Sequence, residues 1–148
     1  MKLAKMDFLL RYPNVLARAL EVLSATKKRA KKLAESLSEE QKDTIEGKMI
    51  RFRYGPWDRR YRRWLAVLVA KNLVEVTKEG RTIKIQLSFR GDEVAKRLGE
   101  KAEFTDLVTR ADMVRVAVGD MTATKVKNFI YEIAPEIVTM KWGDSIKL

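Results

Sequence analysis

The chain has 148 residues, of which 31 are Lys or Arg and 20 are Asp or Glu, so its formal net charge is +11. This length fits one domain, or one domain with a small appendage, and a hydrophobic content of 46% is enough for a packed core. The chain contains neither Cys nor His, which excludes disulfides, zinc–thiolate sites, thiol nucleophiles and imidazole-based catalysis. No apolar run reaches the roughly 18 residues of a membrane span. We therefore expect a soluble, cytoplasmic binding protein rather than an enzyme.

The positive charge is concentrated in the first part of the chain. Residues 1–63 carry 17 Lys and Arg against 8 Asp and Glu, whereas residues 64–148 carry 14 against 12. Two dense basic runs, at residues 27–32 and 59–63, contribute most to this asymmetry. Such a distribution predicts that one face meets a polyanion while the rest of the molecule is nearly neutral.

The first half of the chain is predicted to be helical. Apolar residues recur from residue 8 to residue 23, and Pro13 is expected to begin a fresh first turn within this stretch. A second apolar stripe at residues 30–37 predicts another helix, whose opposite side carries the first basic run. Residues 38–41 have the spacing of a capping box, so a short helix is expected to start there and to end near Gly47.

The middle of the chain alternates between strand and helix patterns. Residues 50–54 are predicted to form a strand that Gly55-Pro56 ends, and Asp58 is the expected N-cap of a basic helix over residues 59–72. Asn72 is expected to end that helix in the left-handed conformation. Residues 73–77 and 83–87 predict a β-hairpin. Ser88 is the expected cap of a helix over residues 89–98.

The C-terminal third is predicted to be mostly helical. One apolar stripe runs from Phe104 to Val118, with Thr105 as its cap, and a second runs from Val126 to Ile133 and is stopped by Pro135. Residues 137–142 are expected to form a final strand.

The order of these elements resembles a winged helix-turn-helix domain. Residues 72–76 (NLVEV), Gly80-Arg81 and residues 87–91 (LSFRG) are similar to the recognition helix, wing and following helix of prokaryotic winged-helix regulators. Asn72 stands where that family usually has Gly, and Ser88 where it has Thr. The fold class implied is α+β, mainly α, with a winged helix-turn-helix domain and N-terminal helices at residues 1–100 and a C-terminal helical extension at residues 101–148.

In such a domain the helix that leads into the wing enters the DNA major groove. Arginine clamps phosphate and pairs with guanine, so the basic residues of this helix, of its flanking strand, of the wing and of the first basic run are the candidates for double-stranded DNA binding. They are Arg51, Arg53, Arg59, Arg60, Arg62, Arg63, Lys78, Arg81, Lys84, Lys27, Lys28 and Lys31. For each of them a solvated basic surface is the alternative interpretation.

The sequence contains one weak candidate for a catalytic motif. Glu46-Gly47-Lys48 matches the end of a nuclease-type acidic motif, which needs a second carboxylate such as Asp43 to hold a divalent cation. A three-residue match recurs by chance, so we assign no catalytic residue, metal or cofactor.

A second resemblance covers most of the chain. It rests on four short motifs, which are residues 9–13 (LLRYP), residues 54–58 (YGPWD), residues 129–132 (FIYE) with Pro135-Glu136, and residues 142–144 (WGD). Together they resemble the middle subunits of ABC-three-component and Lamassu-type defence systems. The resemblance implies a non-catalytic winged-helix subunit of an SMC- or Rad50-like ABC ATPase. It implies docking or core positions at Trp57, Tyr131 and Trp142, and Phe129 is a further candidate for partner binding. A free-standing homodimeric transcriptional regulator is the alternative.

Overall fold

The computed structural model describes residues 2–37, 47–80 and 82–148. Over these residues the helices are α1 (Lys2–Arg11), α2 (Pro13–Ser24), α3 (Lys28–Glu35), α4 (Tyr61–Ala70), α5 (Phe89–Gly99), α6 (Thr105–Val118), α7 (Ala123–Ile133) and α8 (Glu136–Thr139). The strands are β1 (Ile50–Phe52), β2 (Gly55–Trp57), β3 (Val74–Glu79) and β4 (Thr82–Leu87), and a short 3-10 turn covers Ala102–Phe104. The protein is mainly helical with two small antiparallel sheets, which confirms the α+β, mainly α prediction.

Most of the predicted elements are present. Pro13 begins α2, the hairpin β3–β4 forms with Val74 opposite Leu87, and Ser88 caps α5 by accepting a hydrogen bond from the Gly91 N–H. Asn72 has a φ of 53°, which is the left-handed conformation expected at the end of α4. The helix predicted from residue 38 lies outside the described residues.

Three local predictions are wrong. Helix α4 begins at Tyr61 without a side-chain cap, because the Asp58 carboxylate instead accepts a hydrogen bond from Arg11, 2.8 Å away. The first strand ends at Phe52 rather than at Gly55-Pro56, since the chain turns at residues 53–54 and Gly55 and Pro56 lie in β2. Residues 136–139 form α8 rather than a strand, because Pro135 has a helical φ of −61° that favours a helix start.

The chain divides into two compact units. Unit 1 comprises residues 1–58 and 109–148, and unit 2 comprises residues 59–108. Within unit 1 the N-terminal helices α1 and α2 pack against α7. Unit 1 is therefore built from two separate stretches of the chain.

The core of unit 1 lies where α1 and α2 meet α7. Its fully buried side chains come from both stretches of the unit, namely Phe8, Leu9, Tyr12, Val15, Leu16, Leu20, Met49, Val118, Val126, Ile130, Ile137 and Ile146. The Tyr12 hydroxyl donates to the Ile146 carbonyl at 3.1 Å and accepts from the Met49 N–H at 2.9 Å, so it joins the two stretches. Burial raises the pKa of this phenol, which keeps the donor in place.

Unit 2 contains α4, the hairpin, α5, the 3-10 turn and the first turn of α6. Its only buried residues among those described are Val74, Ser88 and Gly91. One face of the hairpin is apolar, because Val76, Ile83, Ile85 and Leu87 share it by strand alternation, and all four are exposed. None of the described helices has the length and apolar character needed to cross a membrane.

Candidate nucleic-acid interface

The strongest basic cluster in unit 2 lies around the first turn of α4. Arg62 and Arg63 are in that turn, and Arg59 lies two residues before the helix begins. All three side chains are exposed, and they form no ion pair with any residue that the structure describes. We call these three residues the arginine cluster. Unneutralised guanidinium groups are available to an anion from solution.

Aromatic packing orders the helix start beside this cluster. The Arg60 guanidinium lies over the Trp64 ring at 4.6 Å from its centroid, and Tyr61 meets Trp64 edge-on at 5.9 Å. A cation over an indole face is attracted by the ring quadrupole, so Arg60 is held against α4. The arginine cluster therefore lies next to a helix start that Arg60 helps to order.

A network of small residues fixes the end of α4 to the hairpin and to α5. The Ser88 hydroxyl donates to the Asn72 carbonyl at 2.6 Å and accepts from the Gly91 N–H at 3.0 Å. Gly91 lies so close to β3 that a Cβ on it would be 1.8 Å from the Leu73 carbonyl oxygen. The sequence indicated Ser88 as a helix cap and as part of the LSFRG motif, and Gly91 only as part of that motif. Their geometry shows why these two residue types are needed there.

The predicted wing residues are weaker candidates for DNA binding than the arginine cluster. Lys78 is exposed near the tip of the hairpin, whereas Lys84 forms an ion pair of 2.6 Å with Glu79. Arg81 lies outside the described residues. Glu75 is also exposed on β3, so the wing presents both signs of charge.

Some of the predicted DNA-binding residues have structural roles in unit 1. Arg51 is only 8% exposed, donates from Nε to the Ile137 carbonyl at 2.9 Å and lies over the Tyr131 ring. Lys27 donates to the Val116 carbonyl at 2.9 Å. Because these cations serve the packing of unit 1, we leave both out of the proposed interface.

The other residues of the first basic run include one that is ion-paired and others that are exposed. Arg29 pairs with Asp112 at 2.8 Å, and Arg115 together with Arg29 holds the pKa of that carboxyl below its usual value. Lys28 and Lys31 are exposed on α3. Arg53 is also exposed and lies over the ring of Trp142, 5.9 Å from its centroid.

The four predicted partner-binding residues belong to unit 1 but differ in exposure. Phe129 is buried, and Tyr131 is half-buried beneath Arg51. Trp57 is half-buried, and Trp142 is 63% exposed. Only Trp142 presents most of its surface to solvent.

The motifs behind the second resemblance converge in unit 1. Arg11 of the first motif pairs with Asp58 of the second, and Gly55 of the second lies beside Tyr131 of the third. The fourth motif begins at Trp142, which contacts the ring of Phe52. The first three motifs are thus in contact within unit 1, whereas the fourth contacts Phe52, which belongs to none of them.

No acidic or other metal-ligating cluster of three or more residues occurs among the residues that the structure describes. Lys48 of the nuclease-like motif is exposed, and its proposed partners Glu46 and Asp43 lie outside those residues.

Fold and surface together define a basic, mainly helical α+β protein with a helix–hairpin–helix unit and an exposed arginine cluster. Comparison with protein-family models, curated proteins and solved structures found no match. The functional argument therefore rests on the residues described above.

Proposed function

We propose that this protein is a non-catalytic DNA-binding protein of the winged-helix class, and that α4 lies against the duplex. The observation that carries the proposal is the arginine cluster, three exposed guanidinium groups around the first turn of one helix that form no ion pair with any described residue. Such a surface is what phosphate neutralisation needs, and it is costly to keep otherwise because like charges repel.

The expected contact combines charge and helix geometry. The N-terminal end of α4 presents backbone N–H groups and the positive end of the helix dipole, which favour a phosphate group there. Arg62 and Arg63 would clamp the backbone of one strand, and Lys78 on the wing would reach an adjacent phosphate. Contacts of this kind position the protein on DNA without selecting its sequence.

The resemblance to defence-system subunits adds a partner to this proposal. In that setting the protein is an accessory subunit of an SMC- or Rad50-like ABC ATPase complex, acting against phage or plasmid DNA. Phe129 and Tyr131 are engaged in the packing of unit 1, so they offer little surface for docking. The exposed apolar face of the hairpin, with Ile83 and Leu87, supports a protein contact instead.

The second candidate is a free-standing homodimeric transcriptional regulator. The same apolar hairpin face favours it, because a homodimer needs a self-complementary apolar patch. The two candidates differ in oligomeric state. A regulator forms a dimer alone in solution, with recognition helices about 34–36 Å apart, whereas an accessory subunit stays monomeric until its ATPase is added. Light scattering of the purified chain distinguishes them.

Duplex binding is tested by reversing the arginine cluster. Arg59, Arg62 and Arg63 are changed together to Glu, and binding to a fluorescent duplex is measured by anisotropy at low ionic strength. Arg60 is left unchanged because it packs on Trp64. We expect affinity to fall by at least about 100-fold, since three phosphate contacts are replaced by repulsion.

The matched control makes the same change of net charge on another surface of unit 2. Arg90, Lys96 and Arg97 of α5 are exposed, and they are changed together to Glu. If both triple variants lose binding equally, net charge alone explains the effect. If the arginine-cluster variant binds normally while its circular dichroism is unchanged, the interface is not on α4.

A further inference from the structure

Three aromatic side chains form a row across the small sheet of unit 1. Phe52 lies in the middle, with its ring centroid 6.2 Å from that of Trp57 and 6.4 Å from that of Trp142. We call Trp57, Phe52 and Trp142 the aromatic row. Phe52 is 46% exposed and Trp142 is 63% exposed, so two of the three rings are largely in water. Unit 1 has a well-packed core elsewhere, and these rings are not part of it.

A β-bulge places Trp142 beside Phe52. The Gly143 N–H donates to the Arg51 carbonyl at 2.7 Å, and the Arg51 N–H donates to the Asp144 carbonyl at 2.8 Å, so two residues face one on β1. Gly143 has a φ of 97°, which a residue with a side chain rarely adopts. Bulges of this kind redirect neighbouring side chains and often lie next to functional surfaces. The backbone conformation of the bulge thus determines the exposed position of Trp142.

The two chain segments that carry the aromatic row contain more exposed cations than exposed carboxylates. The exposed charged residues of the segments 47–58 and 140–148 are Lys48, Arg53, Lys141, Lys147 and Asp144. The other carboxylate there, Asp58, is buried and paired with Arg11. The Arg53 guanidinium lies over the Trp142 ring. Four exposed cations thus accompany one exposed carboxylate.

This combination of features distinguishes between two kinds of partner. Protein–protein interfaces are depleted in lysine, whereas here three of the exposed charges in these segments are lysines. Proteins that bind single-stranded nucleic acid combine exposed aromatic rings, on which bases stack, with cations that follow the backbone. Sheet-borne aromatic residues that stack two or three bases are a common form of this arrangement.

We propose that the aromatic row binds single-stranded nucleic acid, with unpaired bases stacked on Trp142 and Phe52 and the phosphates against Arg53 and Lys141. The centroids of the Phe52 and Trp142 rings are 6.4 Å apart, compared with about 3.4 Å between stacked bases in a duplex. The bound strand is therefore extended, with one base on each ring. Stacking uses the face of a base, so the contact tolerates any sequence. This proposal is independent of duplex binding by α4.

The experiment measures binding of a short fluorescent oligothymidylate by anisotropy at low ionic strength, with an oligouridylate of equal length as a second arm. Trp142→Ala and Phe52→Ala are each expected to weaken binding by about tenfold or more, because one stacked base is lost. Trp142→Phe keeps an aromatic face and should remain within about threefold of the parent. Equal binding of the two probes means that the 2′-hydroxyl is not read, which fits stacking alone.

Two controls separate this proposal from the others. Val138→Ala removes an exposed apolar side chain of the same unit and should change nothing. The triple Glu variant of the arginine cluster should lose duplex binding and keep oligothymidylate binding. The proposal is overturned if Trp142→Ala binds both single-stranded probes as the parent does. It is also overturned if neither probe binds under conditions where the duplex binds, a result that would make the row a protein-docking surface.

Discussion

Lys5 is a charged residue in an unusual place. Its side chain is 2% exposed within unit 1, and the cations of Arg51 and Lys127 are near it. Burial, followed by these two charges, lowers the pKa of the Lys5 amine to about 8. The folded protein therefore carries an unfavourable charge at neutral pH.

Replacing Lys5 by Met is expected to stabilise the protein. Below pH 8 the amine is charged in both the folded and the unfolded state, and the free-energy penalty for burying the charge is complete. Above 10.5, the ordinary pKa of lysine, the amine is neutral in both states and the penalty is absent. The gain for Lys5→Met should be about 3 kcal/mol at pH 7 and should shrink as the pH rises through this window. Urea denaturation at several pH values measures it. Lys125→Met, on an exposed lysine, should show no such gain; a gain that is constant with pH would contradict the explanation.

Gly91 and Gly99 offer a paired test at the two ends of α5. Gly91→Ala would drive a Cβ to 1.8 Å from a backbone oxygen, so we expect a loss of about 3 kcal/mol or more. Gly99→Ala would place its Cβ 3.5 Å from Val108, an ordinary contact, and should be tolerated. Thermal melting compares them. Equal melting temperatures would mean that α5 does not approach β3 as closely as described.

At the level of elements, local signals explain what the sequence could predict. Pro13, Asn72 and Ser88 each act on their own backbone or on residues a few positions away, so α2, the end of α4 and the start of α5 were predicted correctly. Asp58 was wrongly assigned as a cap because its partner, Arg11, is distant in the sequence. Arg51 was expected at the surface for the same reason, since its bond to Ile137 joins remote segments.

The proposed contact between α4 and DNA predicts how strongly duplex affinity depends on salt concentration. If Arg62 and Arg63 each neutralise one phosphate, Arg62→Ala and Arg63→Ala should each reduce the slope of log K against log salt by about 0.9. Arg97→Ala on α5 should leave the slope unchanged. Duplex titrations at four or more salt concentrations give the slope. An affinity loss with an unchanged slope would mean that these residues act through folding rather than through phosphate contact.

At the level of the whole molecule, the two units differ in burial. Helices α1, α2 and α7 of unit 1 supply most of the fully buried side chains, whereas the strands of unit 2 are exposed along nearly their whole length. Regions with few buried apolar contacts open at lower free energy. The arginine cluster and the apolar hairpin face both belong to this sparsely buried unit.

Hydrogen exchange should reveal this difference. We expect amides of Leu16, Leu20 and Ile130 to exchange at least about 100-fold more slowly than those of Val76 and Ile85, a gap of roughly 3 kcal/mol in opening free energy. Mass spectrometry of peptides from each unit measures it. Equal protection of the two sets would show that the hairpin is covered in solution, and light scattering of the same sample would then report whether a second copy covers it.

The sequence predicted the fold class, most of the elements and the arginine cluster, which are properties of local patterns. It did not predict that residues 1–58 and 109–148 form one unit, because hydrophobic periodicity records which face of a helix is buried and not what it packs against. The aromatic row was missed as a set for the same reason. Phe52 and Trp142 meet only through the pairing of β1 with the C-terminal segment.

The hydrogen bonds of Tyr12 have a consequence for the time course of folding. Its hydroxyl joins Met49 to Ile146, and the ribosome delivers these two residues far apart in time. Helices α1 and α2 therefore emerge long before α7, their packing partner. Their apolar faces that contact α7 stay uncovered until all of unit 2 has been synthesised. During that interval the nascent chain exposes the surfaces that chaperones recognise. Closure of unit 1 is consequently a late event in synthesis.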